Sequence, residues 1–145
     1  MDVSLIKESW KVDAKIDRLQ IMDEILKTPL LHSKYLNWLI DIKQIYRETE
    51  SKIISMNRLK SRYYKGEFSK EELITHNLEQ WQGVKPLKFE LENLLNSDPD
   101  IILLTTELNE CKICLDALES IIKTIASRSY DIKTFIEAEK FYNGR

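Results

Sequence analysis

Lys43, Arg47, Arg58, Lys60, Arg62 and Lys65, with Tyr63 and Tyr64 among them, are the residues of this chain whose types and spacing can do chemistry. That chemistry is recognition. Lysine and arginine neutralise phosphates and tyrosine rings stack on bases, the combination of a sequence-tolerant single-strand site. Placed on a helix at about 100° per residue, Lys43, Arg47, Arg58, Arg62 and Lys65 fall within an arc of roughly 100° beside an apolar stripe. Lys60 lies apart from that arc, on or near the apolar side, where it can snorkel from an interface or point into an opening between subunits. A second reading stands beside this one: the charges form a solubilising face and Tyr63 belongs to the core. Duplex readout fits poorly, because no Asn or Gln group is interleaved with the arginines for base-edge recognition and no zinc or helix-turn-helix signature accompanies them.

Bond-making chemistry finds no comparable set. The two histidines, His32 and His76, have no spaced acid–base or nucleophilic partner, and both read as surface residues. The sequence contains no phosphate-binding glycine loop, HExxH or dinucleotide fingerprint. Cys111 and Cys114 form a lone CxxC with acidic and apolar neighbours on a mid-helix pattern, which reads as small core residues in place of a metal or redox pair. The expectation is a protein that is not an enzyme, with no catalytic residue, no metal and no cofactor.

The elements that must carry the cations are helices. Three glycines and three prolines in 145 residues leave few turns, and the abundance of Leu, Ile, Lys and Glu favours long helices. Tyr35, Leu39, Ile42, Tyr46, Thr49, Ile53, Met56, Lys60 and Tyr63 recur in steps of four and three. This heptad form runs over roughly 40 Å of helix, from a cap at Ser33 to a stop at Gly66. Before it, Leu5, Ile6, Trp10, Ile16, Leu19, Met22, Ile25 and Leu26 predict an amphipathic helix over 4–27 that ends ahead of Pro29. After it, Ser69 and Glu72 have capping-box spacing and open a helix to about Gln80, followed by a short helix over 87–96 closed by Asn96-Ser-Asp-Pro99. From Leu104 a wider stripe returns through Leu108, Cys111, Leu115, Leu118, Ile122 and Ile125. Ser127-Arg-Ser129 is a candidate interruption, and Phe135 and Ile136 lie in the last amphipathic stretch.

These patterns predict an all-α fold, a single helical domain over 1–145. It has a long basic helix over about 30–66 and C-terminal helices over about 104–143. A helix as long as the second exceeds what a monomer of this size buries, so a partner subunit or solvent must cover part of it. The C-terminal stripe is either satisfied within one chain or supplies a subunit interface, with Leu108, Leu115, Leu118, Ile122, Ile125, Phe135 and Ile136 as candidate oligomerisation residues. Charge is segregated despite a formal net of −2. Residues 33–66 carry eight Lys or Arg against three acids, +5, and residues 67–119 carry four against twelve, −8, so a polyanion can dock on one part. No apolar run approaches the roughly 18–20 residues of a membrane span, and the first residues lack the basic start and apolar block of a signal peptide. A cytoplasmic protein without a membrane partner is expected.

His32-Ser-Lys-Tyr-Leu-Asn37, then Ile42-Lys43, and above all Arg58-Leu-Lys-Ser-Arg-Tyr-Tyr-Lys-Gly66 resemble the UvsY recombination mediator family of T4-like bacteriophages. The C-terminal part is similar too, through Leu115-Asp-Ala-Leu-Glu119, Arg128-Ser-Tyr-Asp-Ile-Lys133 and the acidic-aromatic close around Glu139 to Gly144. The similarity covers about residues 30–66 and 108–144 and weakens between 70 and 105. It implies single-stranded DNA binding without sequence preference and a ring-like homo-oligomer, a heptamer, formed through the C-terminal part. It also implies loading of the phage recombinase onto strands covered by the phage single-strand-binding protein, with contacts to both proteins, in the cytoplasm of the infected host. The family's DNA-contacting basic pair matches Arg58 and Lys60, and Arg62 stands where the family has an acid. The alternative is a non-enzymatic helical adaptor that binds only proteins.

Overall fold

The computed structural model describes residues 2–144. Five helices follow one another: α1 (Val3–Asp13), α2 (Ile21–Tyr64), α3 (Lys70–Thr75), α4 (Lys88–Asn96) and α5 (Pro99–Tyr142). No strand occurs among the described residues, so the all-α expectation holds, and α2 is continuous over the whole 35–63 heptad stretch. The chain divides into two compact units, one of residues 1–45 with 110–145 and one of residues 46–109.

The first unit is built on the heptad pattern. Tyr35, Leu39 and Ile42 of α2 meet Cys114, Leu118, Ile121 and Ile125 of α5, and Ile6 of α1 closes the cluster. Trp10 and Trp38 each set an edge against the Tyr35 ring, with centroids 5.5 and 5.2 Å away. The α1 end is tied down by charge. Lys34 Nζ donates to Asp13 at 2.6 Å and to Ser9 Oγ at 2.7 Å, and the Tyr35 hydroxyl donates to Asp13 at 2.8 Å.

Two expectations about this unit need correction. The predicted helix over 4–27 is interrupted after Asp13, because Asp17 folds the chain into a turn by accepting from the Leu19 N–H at 2.9 Å. Ile16 and Leu19, predicted members of the apolar stripe, therefore sit exposed in the turn. The second correction concerns Pro29, which lies inside α2 and does not precede its start. An interior proline removes one ladder hydrogen bond and crowds the preceding turn, at a cost of about 3 kcal/mol. The turn before it is gripped from the side: Arg128 of α5 donates to the Glu24 carbonyl, to Thr28 Oγ1 at 2.6 Å and to the Glu24 carboxylate at 2.5 Å. The same grip explains why Ser127-Arg-Ser129 does not interrupt α5, since Arg128 is buried by its partners and Ser127 donates to the Thr124 carbonyl.

Acid should loosen the molecule. Burial opposes ionisation of Asp13, but hydrogen bonds from Lys34 and Tyr35 outweigh it and hold its pKa below 3.8. The hydrogen bond from Lys27, with the Lys27 and Arg128 charges, holds Glu24 below 4.5 against the opposing effect of burial. Depressed carboxylates contribute stability that is present above their unfolded pKa values and lost as the pH falls. Helicity followed by circular dichroism during urea titration is expected to need less urea for unfolding as the pH drops below 4.5. Tyr35 acts at the other end of the scale. Burial is the main cause raising its pKa from 10.0 to about 12, so its contribution is intact below 10.0 and lost as the pH rises through that interval. A urea midpoint that climbs in acid would contradict this expectation.

Candidate nucleic-acid interface

The second unit holds the C-terminal part of α2, where most of the candidate cations lie. Gly66 ends the helix in left-handed backbone with φ 74°, and the Gly66 and Glu67 N–H groups bond back to the carbonyls of Tyr63 and Arg62. That closure needs a glycine-like residue and fixes where Lys65 emerges. The sequence-read stop is therefore present. So is the capping box of α3, in which Ser69 Oγ accepts from the Glu72 N–H and Glu72 accepts from the Ser69 N–H.

The cations of α2 divide into two populations. Arg47, Arg58 and Lys65 are exposed, and none forms an ion pair among the described residues. Lys43, in the first unit, is exposed as well. On the helical wheel Arg47, Arg58 and Lys65 lie within about 20° of one another, so in this unit they form one row.

Lys60 belongs to the other population. Its position, roughly 220° round the helix from Arg47, turns it inward. The side chain is 7 % exposed and pairs with Asp100 at 2.8 Å and Asp98 at 3.3 Å. Burial works against its charge, but the hydrogen bond to Asp100 and the two carboxylate charges outweigh it and raise its pKa above the usual lysine value. Asp98 is the hub of the cluster. It accepts the Tyr64 hydroxyl at 2.6 Å and caps α5 by accepting the N–H groups of Asp100 and Ile101, ahead of Pro99 in the first helical position. Lys60 thus holds the start of α5 against α2 with its charge already neutralised. It does not snorkel to water in this arrangement, and its charge faces two carboxylates.

Tyr64 shares that fate. It is buried, its hydroxyl is engaged, and burial with the bond to Asp98 pushes its pKa well up, so its ring has no face to offer a base. Tyr63 is half-buried and donates to the Glu79 carbonyl at 2.7 Å. Both rings pack in an aromatic group with Phe68 and Trp81, and the Tyr64 and Trp81 centroids are 4.9 Å apart at nearly right angles. Sequence reasoning misses Trp81, because a lone tryptophan in a polar loop carries no periodic signal. Gly83 lets that loop close: a Cβ there would lie 2.6 Å from the indole.

Arg62 sits between the two populations. It lies about 60° from Arg47 on the wheel, yet its guanidinium forms a fork with Glu72, NH1 and NH2 each 2.9 Å from a carboxylate oxygen. Nearly half of the Arg62 side chain, 43 %, stays accessible, and the guanidinium rests over the Phe68 ring.

The candidate oligomerisation residues also separate. Leu118 and Ile125 are buried in the chain's own core at 0 % and 1 % exposure, which leaves them no surface for a neighbouring subunit. Leu115 and Ile122 are half-buried against that core, Phe135 and Ile136 are half-buried further along α5, and Leu108 is half-buried in the second unit. Cys114 is a core residue whose thiol pKa is raised by burial, with Cys111 packed against the same cluster. His32 and His76 are exposed. No group of three potential metal ligands, and no helix long and apolar enough to cross a membrane, occurs among the described residues.

The chain resembles crystal structures of the bacteriophage T4 recombination mediator protein UvsY. The lattice type II form has a TM-score of 0.83 and 24% sequence identity, covering 99% of this chain and 98% of that one. The type IV form gives 0.83 and 24% over 97% and 99%, and the type I form 0.78 and 25% over 94% and 98%. At such identities the likeness speaks for the fold. No curated protein sequence gives a significant match. The sequence profile described as "Recombination, repair and ssDNA binding protein UvsY" matches residues 9–145, nearly the whole chain, and the chain therefore belongs to the UvsY family.

Proposed function

We propose that this protein is a recombination mediator that binds single-stranded DNA without sequence preference through the exposed cations of α2. It then promotes loading of a phage recombinase onto strands covered by single-strand-binding protein. The observation that carries the DNA-binding part is the row of Arg47, Arg58 and Lys65, exposed and without carboxylate partners among the described residues. Phosphate neutralisation needs cations in that state, and a row along one helix follows a backbone without reading bases. Lys43 and Arg62 are outer members of the reading. Lys60 contributes by holding the α2 face in place. The recombinase-loading part rests on family membership and on the solved T4 mediator structures.

A ring-like homo-oligomer, a heptamer in the family resemblance, belongs to the same reading. One weak site per subunit, repeated, gives avidity that a single site lacks. Leu108, Leu115, Ile122, Phe135 and Ile136 retain surface for such contacts, while Leu118 and Ile125 serve the chain's own core. An adaptor that binds only proteins is the competing reading, and DNA titration separates the two. Labelled oligothymidylate and a mixed-sequence strand should bind alike, with affinity falling as salt rises. Arg47→Ala with Arg58→Ala should reduce the magnitude of the salt slope by about 0.7 for each phosphate that is no longer neutralised, multiplied over the subunits engaged. Sedimentation of the same samples checks that the variant keeps its assembly. Absence of binding at low salt would favour the protein-only adaptor.

A further inference from the structure

Among the described residues, the Arg62–Glu72 pair is the one ion pair on this face whose geometry resembles the ligand the face is read to bind. Carboxylate and phosphate both present two oxygens to the guanidinium fork, and the observed pair uses both of them at 2.9 Å. The geometry points to Glu72 as a built-in phosphate mimic. It occupies Arg62 in the absence of DNA and is displaced by a backbone phosphate when a strand binds. This inference rests on the reading of the α2 face as the single-strand site.

Three features make the exchange feasible here and not at Lys60. Both partners are partly open to water, 43 % for Arg62 and 32 % for Glu72, so a phosphate can approach and the released carboxylate can be solvated. Exposed pairs of this kind are weak, whereas Lys60 is enclosed with two carboxylates. Glu72 also has a second occupation, since it accepts the Ser69 N–H in the capping box and is not orphaned on release. The guanidinium meanwhile keeps its place over the Phe68 ring, 5.4 Å from the centroid, and so stays aimed while its partner changes. The consequence is a threshold. Arg62 is unavailable to isolated anions that bind too weakly to displace Glu72, and it is recruited by a polyanion already held by Arg47, Arg58 and Lys65.

Glu72→Gln tests this, because glutamine preserves the N3 capping contact while ending the charge-assisted fork. Titration with labelled oligothymidylate should show several-fold tighter binding at low salt, with a salt slope near that of the unaltered protein, because Arg62 neutralises the same phosphate in both complexes. Glu71→Gln removes the same charge from the same helix without touching the fork, and should leave affinity and slope near those of the unaltered protein. Glu72→Asp keeps the charge on a shorter arm, should loosen the fork, and should move affinity in the same direction as Gln. In an Arg62→Ala background Glu72→Gln should have no effect. Equal gains from Glu71→Gln and Glu72→Gln, or a full gain in the Arg62→Ala background, would overturn the mimic, since bulk charge would then account for everything. Arg58→Ala keeps the two failures apart. If it weakens binding while Glu72→Gln changes nothing, the face is right and the mimic wrong. If it leaves binding intact, the face itself is wrong and the mimic falls with it.

Discussion

Replacing Arg128 with alanine is expected to destabilise the first unit by about 3–5 kcal/mol, the cost of breaking a buried ion pair from one side. Arg128 and Glu24 are 4 % and 2 % exposed, and the guanidinium also serves the Glu24 carbonyl and Thr28 Oγ1. Its removal leaves Glu24 with Lys27 as its remaining cation, on the turn that Pro29 has already weakened. Chemical denaturation followed by circular dichroism should report the loss. Arg128→Met combined with Glu24→Met should recover much of it, because replacing both buried charges by apolar groups removes the desolvation cost. A single variant as stable as the unaltered protein would mean that the grip contributes little and that α2 tolerates Pro29 for another reason.

The second large effect concerns Lys60. Lys60→Ala leaves Asp98 with the Tyr64 hydroxyl and the α5 N–H groups but without its cation, and should cost the second unit about 3 kcal/mol. Lys60→Met should fare no better, because the carboxylate and not the cavity dominates the loss. Any fall in DNA affinity of these variants should track the unfolded fraction. Asp98→Asn supplies the reciprocal test. It keeps an oxygen for the α5 cap but removes the buried one of the two charges Lys60 pairs with, so it too should destabilise this unit while leaving Arg58 exposed.

What the sequence reveals and what it conceals follow one physical division. Patterns that act within a few residues are legible: the heptad spacing along α2, the Ser69–Glu72 capping box and the Gly66 stop all appear where local rules put them. Pro29 is not, because the local rule counts the missing hydrogen bond while Arg128, which grips the turn before it, lies about a hundred residues away in sequence. The wheel sets Lys60 apart from the other cations, but nothing local says that Asp98 and Asp100 will meet it. Tyr63 and Tyr64 look like stacking rings until Trp81 and Asp98 are brought against them. The wide α5 stripe reads equally as core or as subunit seam, and Leu118 and Ile125 are core. The candidate site is thus legible as a row of cations. Which of them remain available depends on carboxylates distant in the sequence.

α2 separates its cations into an exposed row, proposed to contact DNA, and a buried lysine that holds the fold. Arg58→Ala and Lys60→Ala, measured side by side for single-strand affinity at several salt concentrations and for denaturation midpoint, test this division most directly. Arg58→Ala is expected to weaken binding and flatten the salt slope with stability unchanged within about 0.5 kcal/mol, as befits an exposed side chain. Lys60→Ala should lower the midpoint while its folded fraction keeps the slope of the unaltered protein. A flattened slope with full stability in Lys60→Ala, and no change in binding in Arg58→Ala, would contradict the claim.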